Sequence, residues 1–216
     1  MKKLALLLVV LPALSLAAGG NNEHVVQAPI NLQDRVSLQN GAKLFVNYCM
    51  GCHSLKYLRY ERLSKDLGIP EDLVMEHLNF TSERIGDQMH NAMDSEQAEG
   101  WFGVAPPDLT LTARLRTSDW VYSYLTSFYQ DDSRPYGYNN HVFPSVGMPH
   151  VLAKREAVVG ESQFKQEMAD ITNFLTYAAE PFQLERERLG VKVLIFLFIL
   201  FWPAYFLKRE YWKDVH

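Results

Sequence analysis

NYCMGCHSL, residues 47–55, holds both cysteines of the 216-residue chain, three positions apart, with a histidine directly after the second. Three chemistries use thiols and an imidazole this close together. A structural zinc site needs four ligands, commonly two separated pairs of Cys or His. Cys49, Cys52 and His53 would supply three, but there is no second CxxC, and no two of the other histidines form an HxxxH pair. A redox-active CxxC opens a helix after a strand in a βαβ unit. Here the preceding LQNGAKLFVNY, residues 38–48, has the apolar spacing of a helix. The third chemistry is covalent haem attachment, for which C-x-x-C-H is the local signature. Two thiols that add to the two vinyl groups must sit on one turn beneath the porphyrin edge. The next residue, His53, then lies under the iron as its proximal ligand. Haem attachment is the reading adopted, over zinc and over a redox disulfide.

Haem attachment of this type is expected outside the bacterial cytoplasm, and the N-terminus agrees. Two lysines, an apolar run from Leu4 to Leu16 and small residues after it form a secretory signal. Ser15 and Ala17 fit small-x-small cleavage, so residues 1–17 are expected to be removed. The run is too short to span a bilayer comfortably. At the other end, residues 190–207, GVKVLIFLFILFWPAYFL, are apolar except for Lys192. At ~1.5 Å per residue they reach about 27 Å, close to a hydrocarbon core. Lys192 can snorkel to the near interface, and Trp202, Tyr205 and Trp212 suit the far one. Positive charge is almost evenly split across this span, so the signal sets orientation: residues 18–189 outside, 208–216 returning as a short cytoplasmic tail. The expected location is a bacterial inner membrane, single pass, with the body in the periplasm.

The exported segment 18–190 carries 15 Lys and Arg against 23 Asp and Glu, a net charge of −8, where the whole chain carries −4. That excludes electrostatic nucleic-acid binding. It suits a basic protein partner, or simple solubility. Periodicity predicts a mainly α body. Helices are expected over residues 36–48 ending at the CxxCH motif, over PEDLVMEHL (70–78), SERIGDQMHNAM (82–93) and TSDWVYSYLTSFY (117–129), and over SQFKQEMADITNFLTYAAE (162–180). A Ser/Asp cap is expected to open the helix near residue 118. Residues 132–150, rich in Pro, Gly and Asn, read as loop. No convincing strand is found.

Haem iron has a second axial position. Met50 lies inside the attachment loop, and Met75, Met89, Met93 and Met168 fall on expected helices, where methionine is usually core filler. Met148 lies in the loop SVGMPH with Gly147 before it and Pro149 after it, which lets the backbone approach and then stiffens it. His141 and His150 remain rivals. A methionine ligand raises the potential and fills the iron, which favours electron transfer over gas or peroxide chemistry. No Ser/His/Asp constellation or phosphate loop suggests bond chemistry. Asp94, Glu96 and Glu99, and Asp131 with Asp132, are candidate docking patches.

In order along the chain, GAKLFVNYCMGCHSLKYLRYERL, APPDLT followed by Arg114, GMP with Met148, and FLTYAAEP leading into one C-terminal span resemble the cytochrome c1 family. The resemblance runs from about Asp34 to Trp212. It implies a class I cytochrome c-like haem domain with insertions plus one transmembrane helix. It further implies one covalent haem c linked to Cys49 and Cys52, His53 and Met148 as iron ligands, and Arg114 paired with a haem propionate. The family's role is an electron-transfer subunit, not an enzyme alone, of the respiratory-chain quinol–cytochrome c oxidoreductase. It passes single electrons from the Rieske iron–sulfur subunit to a cytochrome c acceptor, beside cytochrome b. Tyr177 stands where the family usually has Trp, and Asn40 where it often has Arg. Residues 82–100 match poorly and receive no role. The alternative is a membrane-anchored haem sensor or scaffold without electron turnover. A c-type peroxidase would normally carry a second haem motif.

Overall fold

The computed structural model describes residues 23–214. The expected signal peptide and its cleavage after Ala17 lie outside the described residues. In chain order the elements are α1 (Arg35–Tyr48), β1 (Leu55–Arg59), α2 (Tyr60–Lys65), α3 (Glu71–His77), β2 (Gln88–Met89), α4 (Ser95–Phe102) and α5 (Thr112–Arg116). There follow α6 (Ser118–Thr126), β3 (Phe128–Gln130), β4 (Tyr138–Asn140), α7 (Ala153–Val159), α8 (Glu161–Ala179) and α9 (Gln183–Tyr211).

The body is built on the crossing of α1 and α8. Leu38, Ala42 and Phe45 of α1 and Met168, Ile171, Phe174 and Leu175 of α8 are buried in one apolar cluster, and the Phe45 and Phe174 rings lie 5.9 Å apart. Each such side chain contributes about 1.5–3 kcal/mol by leaving water. Gly41 makes the crossing possible: a Cβ there would lie 2.1 Å from the Asp170 carbonyl oxygen. A polar seam runs beside the apolar contact. The buried Asp170 carboxylate accepts hydrogen bonds from Ser37 Oγ (2.7 Å), Asn40 Nδ2 (2.6 Å) and Gln166 Nε2 (3.1 Å). A buried carboxylate needs such donors, and this one is served by neutral groups, with Asn40 among them. Tyr177 also uses its hydroxyl, which donates to Asp66 Oδ2 at 2.5 Å.

Two short antiparallel ribbons complete the body, where no strand was expected. β1 pairs with β2 (Leu55 opposite Met89, Arg59 opposite Gln88) and β3 with β4 (Phe128 opposite Asn140, Gln130 opposite Tyr138). The first ribbon overturns the helix expected over 82–93. The carbonyls of Ile85 and Asp87 accept from the first free N–H groups of α2, Glu61 (2.7 Å) and Tyr60 (3.1 Å). The Asp87 carboxylate turns back onto Arg84 N (3.3 Å). Those bonds hold the segment as a turn and strand, because an aspartate that satisfies local backbone competes with helix. The helix expected to run through Tyr129 stops at Thr126, and its cap is Thr117, whose hydroxyl accepts from Trp120 N at 3.3 Å. α2, α4, α5 and α7 were not anticipated.

α9 has 29 residues, about 44 Å at ~1.5 Å per residue. Its most apolar 18-residue window has a mean hydropathy of 2.1, and none of that window is buried against the body. It is long and apolar enough to cross a membrane, with Pro203 inside it. The helix starts before the expected apolar segment, because QLERERL precedes it as about two polar turns. Where α8 hands over to α9, Glu180 accepts from Arg186 Nε (2.5 Å), and the Arg62 guanidinium sits 4.4 Å from the Phe182 ring centroid.

Candidate haem and electron-transfer site

The attachment motif sits at the C-terminal end of α1. Cys49 caps the helix, and its carbonyl accepts from Cys52 N (3.0 Å) and His53 N (2.9 Å), so one tight turn carries both thiols and the imidazole. Both are free thiols, Cys49 buried and Cys52 partly exposed. Burial pushes the Cys49 thiol up to about 12, with the neighbouring Cys52 adding to the effect. Among the described residues no group of three or more Cys, His, Asp or Glu side chains is arranged to hold a bare metal ion, the Cys49–His53 trio included.

His53 is nearly buried, and its Nδ1 lies 2.7 Å from the Pro107 carbonyl oxygen. A carbonyl only accepts, so Nδ1 carries the proton and Nε2 keeps its lone pair. That is the orientation of a metal-ligating histidine held by its second shell. Burial lowers the His53 pKa, partly opposed by Pro107 and Asp108, which keeps the ring neutral as ligation requires. The sequence APPDLT gains a physical role here. Asp108 accepts from Lys56 N (2.8 Å) and Thr110 N (3.0 Å), and Leu109 N donates to the Ser54 carbonyl (3.0 Å). These bonds clamp the Pro107 carbonyl against the turn that bears His53.

Met148 lies in the strap between β4 and α7. Its sulfur accepts from the Tyr124 hydroxyl of α6 at 3.4 Å. Burial pushes the Tyr124 phenol well above its ordinary range, so it stays a donor. Arg134 Nη2 donates to the Ser145 and Val146 carbonyls, each at 2.9 Å, while its buried Nε finds no partner in the structure, a donor left over beside the strap. The rival histidines are engaged elsewhere. The His150 side chain is buried, stacked on Phe128 at 4.6 Å, with Nε2 3.0 Å from Glu156 Oε2. His141 is exposed and stacked on Tyr129 at 4.3 Å.

Arg114 stands apart from these groups. It is on α5, 61% exposed, with Nη1 3.4 Å from Glu180 Oε2. The structure thus ties His53 to Pro107 and Met148 to Tyr124, and places Arg114 at the start of the handover to α9. The acidic segments are partly committed to local structure. Asp94 caps α4 through Gln97 N (2.9 Å), and Asp131 accepts from Ser133 N (3.0 Å) and Asn139 Nδ2 (2.8 Å). The hydrogen bonds from Ser133 and Asn139 lower the Asp131 pKa. The loop beyond Asp132 approaches the end of α4: the Tyr136 hydroxyl donates to the Trp101 carbonyl at 3.0 Å, and a Cβ on Gly147 would lie 3.7 Å from the Phe102 carbonyl. Sequence reasoning missed Pro107, Tyr124, Arg134, Asn139 and Asn140 as supports. Their available signal was position: APPDLT and YGYNN flank or precede ligand segments.

Comparison with known proteins decides the family. A model of the Cytochrome C1 family matches residues 25–215. The chain belongs to the cytochrome c1 family. A curated cytochrome c1 of Allochromatium vinosum is 54% identical, over 99% of this chain and 98% of its own length. A Nitrosomonas europaea protein named ammonia monooxygenase gamma subunit is 39% identical over 100% of this chain and 99% of its own. The Saccharomyces cerevisiae mitochondrial cytochrome c1 is 28% identical over 87% of this chain and 70% of its own length. Cytochrome c1 is an electron-transfer subunit of the bc1 complex and not an enzyme alone. Membership implies haem c as cofactor, and α9 fits a single-pass anchor in such a complex. The residues present fit that group: two free thiols on one turn, a neutral imidazole with Nδ1 already engaged, and a thioether on a braced strap.

Proposed function

We propose that this member of the cytochrome c1 family takes single electrons from the Rieske iron–sulfur subunit, beside cytochrome b, and passes them to a cytochrome c acceptor. Its body would lie in the periplasm and α9 in the inner membrane, after removal of residues 1–17, with 190–207 as the membrane-embedded stretch and 208–216 as the cytoplasmic tail. One haem c would be attached through Cys49 and Cys52, and would supply a one-electron iron couple. His53 and Met148 would be the axial ligands, and Arg114 would exchange or share Glu180 for a propionate. The observation that carries this reading is the 2.7 Å contact of His53 Nδ1 with Pro107, which presets Nε2 for the iron. Held by two side chains, such an iron would favour electron transfer over gas or peroxide chemistry. Asp94, Glu96 and Glu99, and Asp131 with Asp132, would suit a basic acceptor.

The test is reduction of this haem by quinol in the solubilised complex, with and without the Rieske subunit. The expected result is rapid reduction that disappears when the Rieske subunit is removed. Equal rates in both preparations would refute the donor assignment. Carbon monoxide that binds readily to the reduced wild-type protein would point instead to a sensor.

A further inference from the structure

We propose that Asn140 is a positioning residue for the sixth iron ligand: its buried amide locks the strap that bears Met148 to Tyr124, the residue whose hydroxyl contacts the Met148 sulfur. The inference rests on reading Met148 as that ligand. Asn140 is 0% exposed, and each polar end of its side chain is used. Nδ2 donates to the Tyr124 carbonyl at 2.7 Å. Oδ1 accepts from Val142 N (2.9 Å), Phe143 N (3.1 Å) and Ser127 Oγ (3.2 Å). One amide therefore joins the last turn of α6, its C-cap Ser127 and the first turn of the strap. Asn139 extends the brace, since its Oδ1 accepts from Ser145 N at 2.9 Å.

The chemistry gives this brace a purpose. A thioether is a neutral, soft and weak ligand, least at home on ferric iron, so its residence depends on how well its strap is preorganised. The hydroxyl of Tyr124 engages a sulfur lone pair, which leaves the other for a metal and draws electron density from it. Asn140 fixes the Tyr124 backbone and the strap with one group, so it sets the distance between hydroxyl and sulfur. Such a second-shell group acts on occupancy and potential while touching neither iron nor sulfur.

The experiment uses the full-length holoprotein in detergent, with Asn140→Ala, Asn140→Asp, Tyr124→Phe, the Asn140→Ala/Tyr124→Phe double variant, and Met148→Leu as reference. Asn140→Asp keeps an acceptor for Phe143 N but turns an oxygen toward the Tyr124 carbonyl. In both Asn140 variants the haem should stay attached. The methionine-to-ferric-iron charge-transfer band should weaken, the reduction potential should fall, and carbon monoxide should bind the reduced protein roughly tenfold faster, the consequence of one buried polar group left unpaired. The potential shifts of Asn140→Ala and Tyr124→Phe should combine less than additively, because the two act on one contact. Wild-type band, potential and carbon monoxide rate in both Asn140 variants, with the band lost in Met148→Leu, overturn the positioning role alone. A band that survives in Met148→Leu removes the ligand reading, and this inference with it. If neither Asn140 variant accumulates, Ser127→Ala removes one of the three donors to Oδ1 and reads the same brace; an unchanged potential there also overturns it.

Discussion

On the proposed reading, the attachment turn and the methionine strap would share one task, holding a ligand to iron, and they are built differently. The turn of residues 49–53 is largely local: it closes on the carbonyls of Phe45 and Cys49, while His53 reaches out to Pro107 and Met50 Sδ accepts from the Tyr60 hydroxyl. The strap is assembled from distant parts. Tyr124 of α6, Arg134 of the β3–β4 turn and the Asn139–Asn140 pair all hold it, and no covalent link is expected there. A local device announces itself as a motif. A distributed one does not, although its failure would be as costly to function.

The comparison can be broken most severely at the local side. Cys49→Ala with Cys52→Ala should abolish covalent haem, read as loss of peroxidase staining on a denaturing gel, and a band that still stains would move the attachment elsewhere. Next in size is the seat of that turn. Gly41→Ala places a methyl group against the Asp170 carbonyl, so α1 must shift away from α8. The cost is about 3 kcal/mol or more, at the upper end for overpacking. Thermal unfolding should show it, with lower yield of holoprotein; a normal unfolding midpoint would mean that the crossing is looser than drawn.

A smaller effect separates the strap's far end from its near one. Arg155 on α7, just beyond the strap, donates to the buried Glu167 of α8 through Nε (2.9 Å) and Nη2 (2.5 Å). This bond lowers the Glu167 pKa, so its stabilisation is present above the ordinary glutamate value of 4.5 and is lost as pH falls through the lower folded value. Glu167→Gln should cost about 1–2 kcal/mol at neutral pH and little once the pH is below the folded value. Denaturant titrations at both pH values check this, and a loss that persists in acid would locate the cost in packing. The smallest expected effect is on encounter. Electron transfer to a basic cytochrome should slow several-fold as the Debye length shrinks from about 30 Å at 0.01 M to about 8 Å at 0.15 M salt. Charge-neutral replacement of Glu96, Glu99 and Asp132 should flatten that slope. A salt-independent rate would leave the −8 charge of residues 18–190 as a solubility feature.

How much of this was legible in the sequence follows the same division. α1, α8 and α9 were readable because each is long, and its burial or exposure repeats with the helical period or is uniformly apolar. CxxCH stood out because haem attachment would demand that spacing. Residues 82–93 misled, since their periodicity suits a helix while Ile85 and Asp87 spend their carbonyls on α2. The ribbons went unseen for a related reason: Leu55 and Met89 pair across 34 positions, and pairing of two or three residues leaves no alternation to detect. Met148 was singled out by elimination, but Asn139 and Asn140 looked like ordinary loop residues, and only the fold shows that one of them is wholly buried. Arg114 illustrates the limit, because a motif names the residue while its partner in the structure is Glu180.

The central claim is that one covalent haem sits between His53 and Met148. The most direct measurement is the methionine-to-ferric-iron charge-transfer band, with the reduction potential, of purified wild type and Met148→Leu. The band should be present in the wild type and absent in Met148→Leu, which should keep its haem and show a lower potential. A band missing from the wild type, or band and potential unchanged in Met148→Leu, would contradict it.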